Sequence, residues 1–377
     1  MPSHVSTTRG PVLIIGTGLL GTSLALALRS EGVEVFLRDS SPTAGRLAQD
    51  LGAGTLIGPD DHCSPSLVIV STPPDVADIC VVDALIRYPE AVVSDVASVK
   101  LAVLEGVVEE AERRGLDITS RYVGSHPMAG RERSGAGAAD ADLFYGRPWV
   151  IVPSPTSSPD AVMRIRSLAG DVGAFPIEMD ASTHDQSVAL ISHVPQLVSS
   201  MLAARLADAP VSALSLSGQG LRDTTRIAAS DPRLWTAILA GNAGPVVKVL
   251  KDIRGDLDDL ISHLDAAAQE GPLEGGSVGA VYRVMDQGNR GVARIPGKHG
   301  GAPRRYVVLD VFVPDTAGSL GRLFADLGEI GVNIEDFALE HSAGAQMGVA
   351  RLSLDPSIVA STICQLQERG WNTGSGD

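Results

Sequence analysis

The chain has 377 residues, too many for one ordinary core, so two or three domains are expected. With 44% hydrophobic and 20% charged residues it reads as a soluble globular protein, and a formal charge of −15 argues against nucleic acid or an anionic membrane surface as partner. Aromatics at 4% argue against a base-stacking platform. Cys63, Cys80 and Cys364 are unclustered and in no metal-ligand spacing, so no metal is expected, and they read as small buried hydrophobes in a reducing cytoplasm. Residues 11–28 are apolar enough to resemble a signal segment. Three glycines, the Thr22-Ser23 pair and the lack of a basic flank argue against that, and no other stretch is expected to span a bilayer.

Val12-Leu-Ile-Ile is a short apolar run suited to a strand buried on both faces of a parallel sheet. Gly16, Gly18 and Gly21 follow at GxGxxG spacing, and residues 19–29, opening with Leu19 and Leu20, read as the next helix. Gly16 permits a tight turn, Gly18 lets backbone approach a pyrophosphate, and Gly21 lets helix pack closely on strand. The helix N-terminus offers free N–H groups to phosphate. A second apolar run, residues 33–37, ends at Arg38-Asp39, where such units place an acid on the ribose 2′-hydroxyl. Asp39 would repel a 2′-phosphate, which favours NAD over NADP; Arg38 beside it weakens that preference. The competing reading is an apolar segment with incidental glycines.

Strand and helix signals then alternate. A helix is expected over 42–51, at most a short strand within 52–58, and a buried strand at Leu67-Val-Ile-Val-Ser71, stopped by Thr72-Pro73-Pro74. Helices over 75–87 and 99–114 flank a strand at 91–95, a strand end lies at 121–125, and a last strand–helix–strand unit runs from Trp149 to about Ile177. This alternation predicts a Rossmann-type, doubly wound parallel sheet over residues 1–178, with ligands at the C-terminal ends of its strands. Ser71, Thr72 and Pro73 then join Gly16, Gly18, Leu19, Leu20, Gly21, Arg38 and Asp39 as expected cofactor contacts.

Residues 179–285 lose the strand pattern, and 187–207, 212–217, 233–239 and 245–268 carry helical spacing, with a kink expected at Pro195. The apolar stretch 188–206 is too greasy for a free surface and predicts burial between the subunits of a homodimer. Residues 286–303 are glycine-rich and basic and read as a linker, either a solvated connector or an arm over an anionic site. Residues 304–377 give a βαββα order in a separate α+β unit.

Two segments stand at expected strand ends: Ser94-Asp-Val-Ala-Ser98-Val-Lys100 and Gly124-Ser-His126-Pro-Met-Ala-Gly130. His126 is read as directly following a strand, with Pro127 holding it extended or in a turn. A histidine over a nicotinamide is placed to take a proton from a hydroxyl as hydride leaves its carbon, and an ordinary pKa of about 6.5 suits that role. A structural histidine is the competing reading.

The glycine loop, Asp95-Val-Ala-Ser98-Val-Lys100, Ser125-His-Pro-Met-Ala-Gly130, Ile191-Ser-His-Val-Pro195 and Asp223-Thr-Thr-Arg226 with Ser230-Asp-Pro232 and Trp235 occur in one order. Together they resemble the prephenate dehydrogenase family, over residues from about 12 to 285. The tail, with Asp315-Thr-Ala-Gly318-Ser-Leu320 and Gly331-Val-Asn333-Ile334, resembles an ACT-type, ferredoxin-like amino-acid-sensing domain.

The resemblance implies NAD-dependent oxidative decarboxylation of prephenate to 4-hydroxyphenylpyruvate in tyrosine biosynthesis. It implies that His126 engages the ring hydroxyl, that Ser98 orients His126 and the nicotinamide, and that Arg226 grips a substrate carboxylate. Arg222, four residues before Arg226, shares its helical face, and Arg131 is a further carboxylate contact. Many members carry a second histidine where this chain has Gln196; on a helix Gln196 shares a face with Ser192 and can hydrogen-bond substrate without charge. That leaves prephenate and arogenate both open as substrates. His193 points elsewhere and is expected to pack. In the tail, Asp315, Gly318, Leu320, Asn333 and Ile334 are the expected effector contacts, with tyrosine the expected effector, although Ala317 stands where such loops often hold proline. A β-hydroxyacid dehydrogenase with a catalytic lysine is a poorer reading, since no lysine lies between Lys100 and Lys248. A non-enzymatic, NAD-responsive regulator is the remaining alternative.

Overall fold

The computed structural model describes residues 6–59, 61–117, 119–130, 135–272, 276–296, 306–341 and 346–375. The chain divides into two compact units, one of residues 1–207 with 225–252, the other of 208–224 with 253–377.

In the first unit, β1 (Val12–Ile15), α1 (Leu19–Ser30), β2 (Val35–Arg38), α2 (Pro42–Asp50), β3 (Thr55–Leu56), β4 (Leu67–Val70), α3 (Pro74–Arg87), β5 (Val92–Asp95) and α4 (Leu101–Arg113) alternate as expected. β6 (Tyr122–Pro127), β7 (Pro148–Pro153), α5 (Pro159–Asp171) and β8 (Phe175–Glu178) complete an eight-stranded sheet of order β3-β2-β1-β4-β5-β6-β7-β8. The apolar residues of β1, β4 and β5 bury both faces: Val12 and Ile14 join one apolar layer, Leu13, Val68 and Val70 the other. Helix starts are set by side-chain caps followed by proline, as at Ser41-Pro42 and Ser158-Pro159.

Two details correct the expected sheet. β6 and β7 pair antiparallel: among the described residues between them there is a short turn of 3₁₀-helix and no crossover helix to return the chain parallel. His126 therefore lies within β6, opposite Val150, rather than after the strand.

α6 (Ala181–Val188) and α7 (Val194–Ala204) form one continuous helix through a π-turn at Ala189–His193. Pro195 lacks an N–H to give back to that turn, so the helix widens just before it, in place of a simple kink. This 24-residue helix is long and apolar enough to cross a membrane, against the expectation that no such stretch exists. His184, Asp185 and His193 on it are nevertheless buried and bonded inside the protein, as described below, while Leu190, Ile191 and Met201 stand exposed. α8 (Val211–Leu214), α9 (Gln219–Thr225), α10 (Pro232–Gly241), α11 (Ala243–Glu270) and α12 (Ser277–Val292) follow. The linker expected over 286–303 is thus helical as far as Val292. Val278, Tyr282, Met285 and Val292 repeat at helical spacing and outweigh Gly288 and Gly291. Residues 297–305 lie outside the described residues.

In the second unit β9 (Val307–Pro314), α13 (Ser319–Ile330), β10 (Asp336–His341), β11 (Met347–Leu354) and α14 (Pro356–Glu368) follow the expected βαββα order, and β12 (Asn372–Ser375) adds a strand the sequence reading missed. The antiparallel sheet runs β10-β11-β9-β12. Leu309, Val311, Leu323, Leu352 and Trp371 fill its core, and the Trp371 Nε1–H donates to Asp326 at 2.7 Å.

Candidate active site

The glycine loop has the shape the sequence requires. Gly16 takes φ +95°, and a Cβ there would lie 2.5 Å from the Ser71 carbonyl oxygen. A Cβ on Gly21 would lie 2.0 Å from the Gly16 carbonyl oxygen, so the first turn of α1 sits directly on the loop. At Gly18, the N-cap of α1, a Cβ would meet nothing within 4 Å. The backbone is therefore open at the one position where a pyrophosphate approaches, and the residues fit a dinucleotide. Asp39, at the end of β2, is half-buried and accepts from the Thr17 N–H, the Thr17 hydroxyl and the Ser41 N–H. Arg38 turns from it and donates to the Gly58 carbonyl at 3.3 Å. Ser71, Thr72 and Pro73 follow β4, and the Ser71 N–H donates to Ile15 at 2.7 Å, tying that turn to the strand before the glycines.

On the other side of the strand crossover, β5 and β6 carry a buried polar cluster. Asp95 receives the Lys100 ammonium and the Tyr122 hydroxyl, and Lys100 also donates to the Ser125 carbonyl at 2.7 Å, one residue before His126. Burial pulls Lys100 below its ordinary 10.5, opposed by the Asp95 carboxylate. Burial pushes the Tyr122 phenol well up, helped by that same carboxylate.

His126 is half-buried, and its Nδ1 lies 2.8 Å from Nε2 of His184 on α6. His184 Nδ1 is in turn 2.7 Å from Asp185 Oδ1. The Asp185 carboxylate also accepts the backbone N–H groups of Lys100 and Leu101 at 2.9 Å each, capping the N-terminus of α4. Burial first, then His184, Lys100 and His193, hold His126 well below the ordinary 6.5. At neutral pH it is an uncharged base. Among the described residues no hydrogen bond joins Ser98 to His126; Ser98 sits half-buried between β5 and α4. Sequence reasoning passed over His184 and Asp185, whose signal was their adjacency at the start of the helical segment.

Gln196 is buried and its amide reaches Ser200 at 3.4 Å; Ser192, within the π-turn, is half-buried. His193 is buried against Trp235 at 6.0 Å between ring centres and shares Asn242 with the Asp185 carbonyl. Burial lowers it to about 4, and it packs, as expected. Arg226 is exposed and opens a 3₁₀ turn packed against α7, the helix that carries Gln196. Arg222 lies on α9, which ends before Arg226, so no single α-helical face carries both, and Arg222 falls in the second unit. Arg131 lies outside the described residues. In the second unit Gly318 caps α13 at φ +88°, the Asp315 N–H donates to Gln346, Asn333 donates to Glu335, and Leu320 and Ile334 pack on the core. Among the described residues no cluster of His, Cys, Asp and Glu could hold a metal.

Comparison with known proteins places this geometry. The nucleotide-binding domain of prephenate dehydrogenase matches residues 24–178, and the prephenate dehydrogenase dimerization domain matches residues 180–274. A curated relative, "Probable prephenate dehydrogenase NovF" of Streptomyces niveus, is 33% identical over 96% of this chain and 99% of its own length. The crystal structure of prephenate dehydrogenase from A. aeolicus in complex with hydroxyphenyl propionate and NAD+ is 26% identical, with a TM-score of 0.63 over 74% of this chain and 97% of that one. The Synechocystis arogenate dehydrogenase is 27% identical, with a TM-score of 0.59 over 74% of this chain and 98% of that one. With both family domains in order and a near full-length relative, the chain belongs to the prephenate dehydrogenase family.

Proposed function

We propose that the protein catalyses the NAD-dependent oxidative decarboxylation of prephenate to 4-hydroxyphenylpyruvate, in the synthesis of tyrosine. The observation that carries this reading is a dinucleotide loop open at Gly18 in the same unit as a half-buried, uncharged His126. NAD, when bound, supplies the hydride acceptor. The loop and the start of α1 hold its phosphates, and Asp39 holds the ribose hydroxyls. His126 takes the proton of the ring hydroxyl as hydride leaves the same carbon. The C–CO₂ bond then breaks, its electron pair makes the ring aromatic, and His126 returns the proton to the phenol oxygen. The balance closes: a substrate dianion gives a keto-acid monoanion, carbon dioxide and one hydride. No proton is consumed, so His126 only lends a site. Ser98 orients the nicotinamide, Arg226 pairs with a carboxylate, and Ser192, Gln196 and Arg131 complete the substrate contacts.

Arogenate is the second reading, favoured by Gln196: an uncharged amide at that position discriminates less between a keto acid and an amino acid than an imidazolium would. Following NADH formation with prephenate and arogenate side by side tests both. Prephenate turnover with NAD supports the first reading, and turnover with neither overturns the assignment.

The enzyme acts as a soluble cytoplasmic homodimer, its apolar residues Leu190, Ile191 and Met201 covered by a second copy of the helical segment. The C-terminal unit is an ACT-type sensor of an aromatic amino acid, tyrosine by preference; the βαββαβ order with strands β10-β11-β9-β12 supports this. Removing residues 304–377 is expected to abolish any tyrosine response while leaving activity.

A further inference from the structure

We infer that Asp185 and His184 form a relay that fixes which nitrogen of His126 is the base. The inference deepens the proposed reaction and rests on that reading for its catalytic meaning, but its geometry stands alone. An ionised carboxylate can only accept, so Asp185 Oδ1, 2.7 Å from His184 Nδ1, places the single proton of a neutral His184 on Nδ1. Nε2 of His184 is then a lone-pair acceptor. Its partner 2.8 Å away, Nδ1 of His126, must carry the hydrogen. That leaves Nε2 of His126 unprotonated and aligned as the proton-accepting atom. Without the relay either nitrogen could hold the hydrogen, and one of the two neutral tautomers would present an N–H to a substrate that needs a lone pair.

Three further contacts hold the relay in register. Asp185 is bound to the backbone at Lys100 and Leu101, its own carbonyl accepts from Asn242 at 2.8 Å, and His184 and Asp185 are almost fully buried. The Lys100 ammonium that caps the Ser125 carbonyl fixes the backbone next to His126 from the strand side. His126 is thus gripped from β6 through Lys100 and from α6 through His184. When the substrate proton arrives on Nε2, the imidazolium still donates from Nδ1 to His184, whose own Nδ1 stays on Asp185. His184, Lys100 and His193 face His126 with the opposite effect, each disfavouring its charge; Asp95 pairs with the Lys100 ammonium. His184 and Asp185 are positioning residues in this scheme, acting through His126.

The test uses the full-length protein with ¹⁵N-labelled histidine, reading the tautomer of His126 from its ring nitrogen shifts, alongside steady-state kinetics. The wild-type protein is expected to hold His126 with hydrogen on Nδ1 at neutral pH. His184→Leu is expected to let the Nε2–H form appear and to lower kcat about 10²-fold with the KM for substrate and NAD unchanged. His184→Gln, whose amide oxygen can accept from Nδ1–H, should recover part of the loss. An Nε2–H tautomer in the wild type, or a wild-type kcat and pH profile in His184→Leu, overturns the relay. The tautomer measurement needs no substrate, so an inactive wild-type protein would overturn the proposed reaction and leave the relay to be judged on its own. If His184→Leu fails to fold, the wild-type tautomer still decides.

Discussion

Thr17 and Asp39 are joined twice: the N–H and the hydroxyl of Thr17 both donate to one carboxylate oxygen of Asp39, at 2.6 and 2.7 Å. The acid that ends β2 therefore shapes the glycine loop, besides the ribose contact proposed for it. Asp39→Asn should weaken both roles, since a charge-assisted hydrogen bond is worth about 1.5–3 kcal/mol. The KM for NAD is expected to rise roughly 10- to 10²-fold. An unchanged KM, or a switch to NADP without loss of NAD, would remove Asp39 from the cofactor site.

Gly21→Ala asks for a Cβ 2.0 Å from the Gly16 carbonyl oxygen. Either α1 moves off the loop or the loop opens, at a cost of about 1–3 kcal/mol. A lower unfolding midpoint with lost NAD protection against heat is the expected pair of results.

His126→Asn should lower kcat by roughly 10²–10⁴-fold while NAD binding, measured by fluorescence quenching, stays as it was. Near-normal turnover would hand the base's role to another group.

The pH dependence follows from the direction of the His126 shift. Its pKa is held below 6.5, the protonated form cannot accept a proton, and activity is therefore lost as pH falls through a value lower than 6.5. The same shift bears on stability: protonation of the unfolded chain near 6.5 favours unfolding, so the fold weakens as pH drops below that value. A kcat/KM profile whose acid limb lies above 6.5 would contradict the burial argument.

Arg226→Ala should cost about 2–5 kcal/mol of substrate binding if its guanidinium pairs a desolvated carboxylate. An unchanged KM would leave Arg226 bracing the turn against α7. Ile191→Asp, placing a charge on an exposed apolar position, is expected to shift the protein from dimer to monomer in light scattering.

How much was legible beforehand depended on the range of the interactions. Gly16, Gly18, Gly21 and Asp39 were readable because each is fixed by local geometry and by a strand next to it. The antiparallel β6–β7 pair was missed, since it follows from the lack of a crossover helix among the described residues between the two strands. β12 was missed because four residues with two glycine-flanked polar positions carry no alternation, and only pairing with β9 makes them a strand. The relay was invisible for a different reason. His126 and His184 are 58 residues apart, and no spacing rule links a strand histidine to one on a later helix. Arg38, the expected counterweight to Asp39 in cofactor choice, donates to the Gly58 carbonyl, a contact no local spacing announces.

The carboxylate of Asp185 grips the start of α4 across a boundary where the two family domains are drawn, between 178 and 180. A seam in sequence is here a weld in mechanics. Residues up to 207 belong to the same compact unit as the nucleotide sheet, so displacing the helix at Asp180 would cost both the His184–His126 contact and the Asp185 cap on α4.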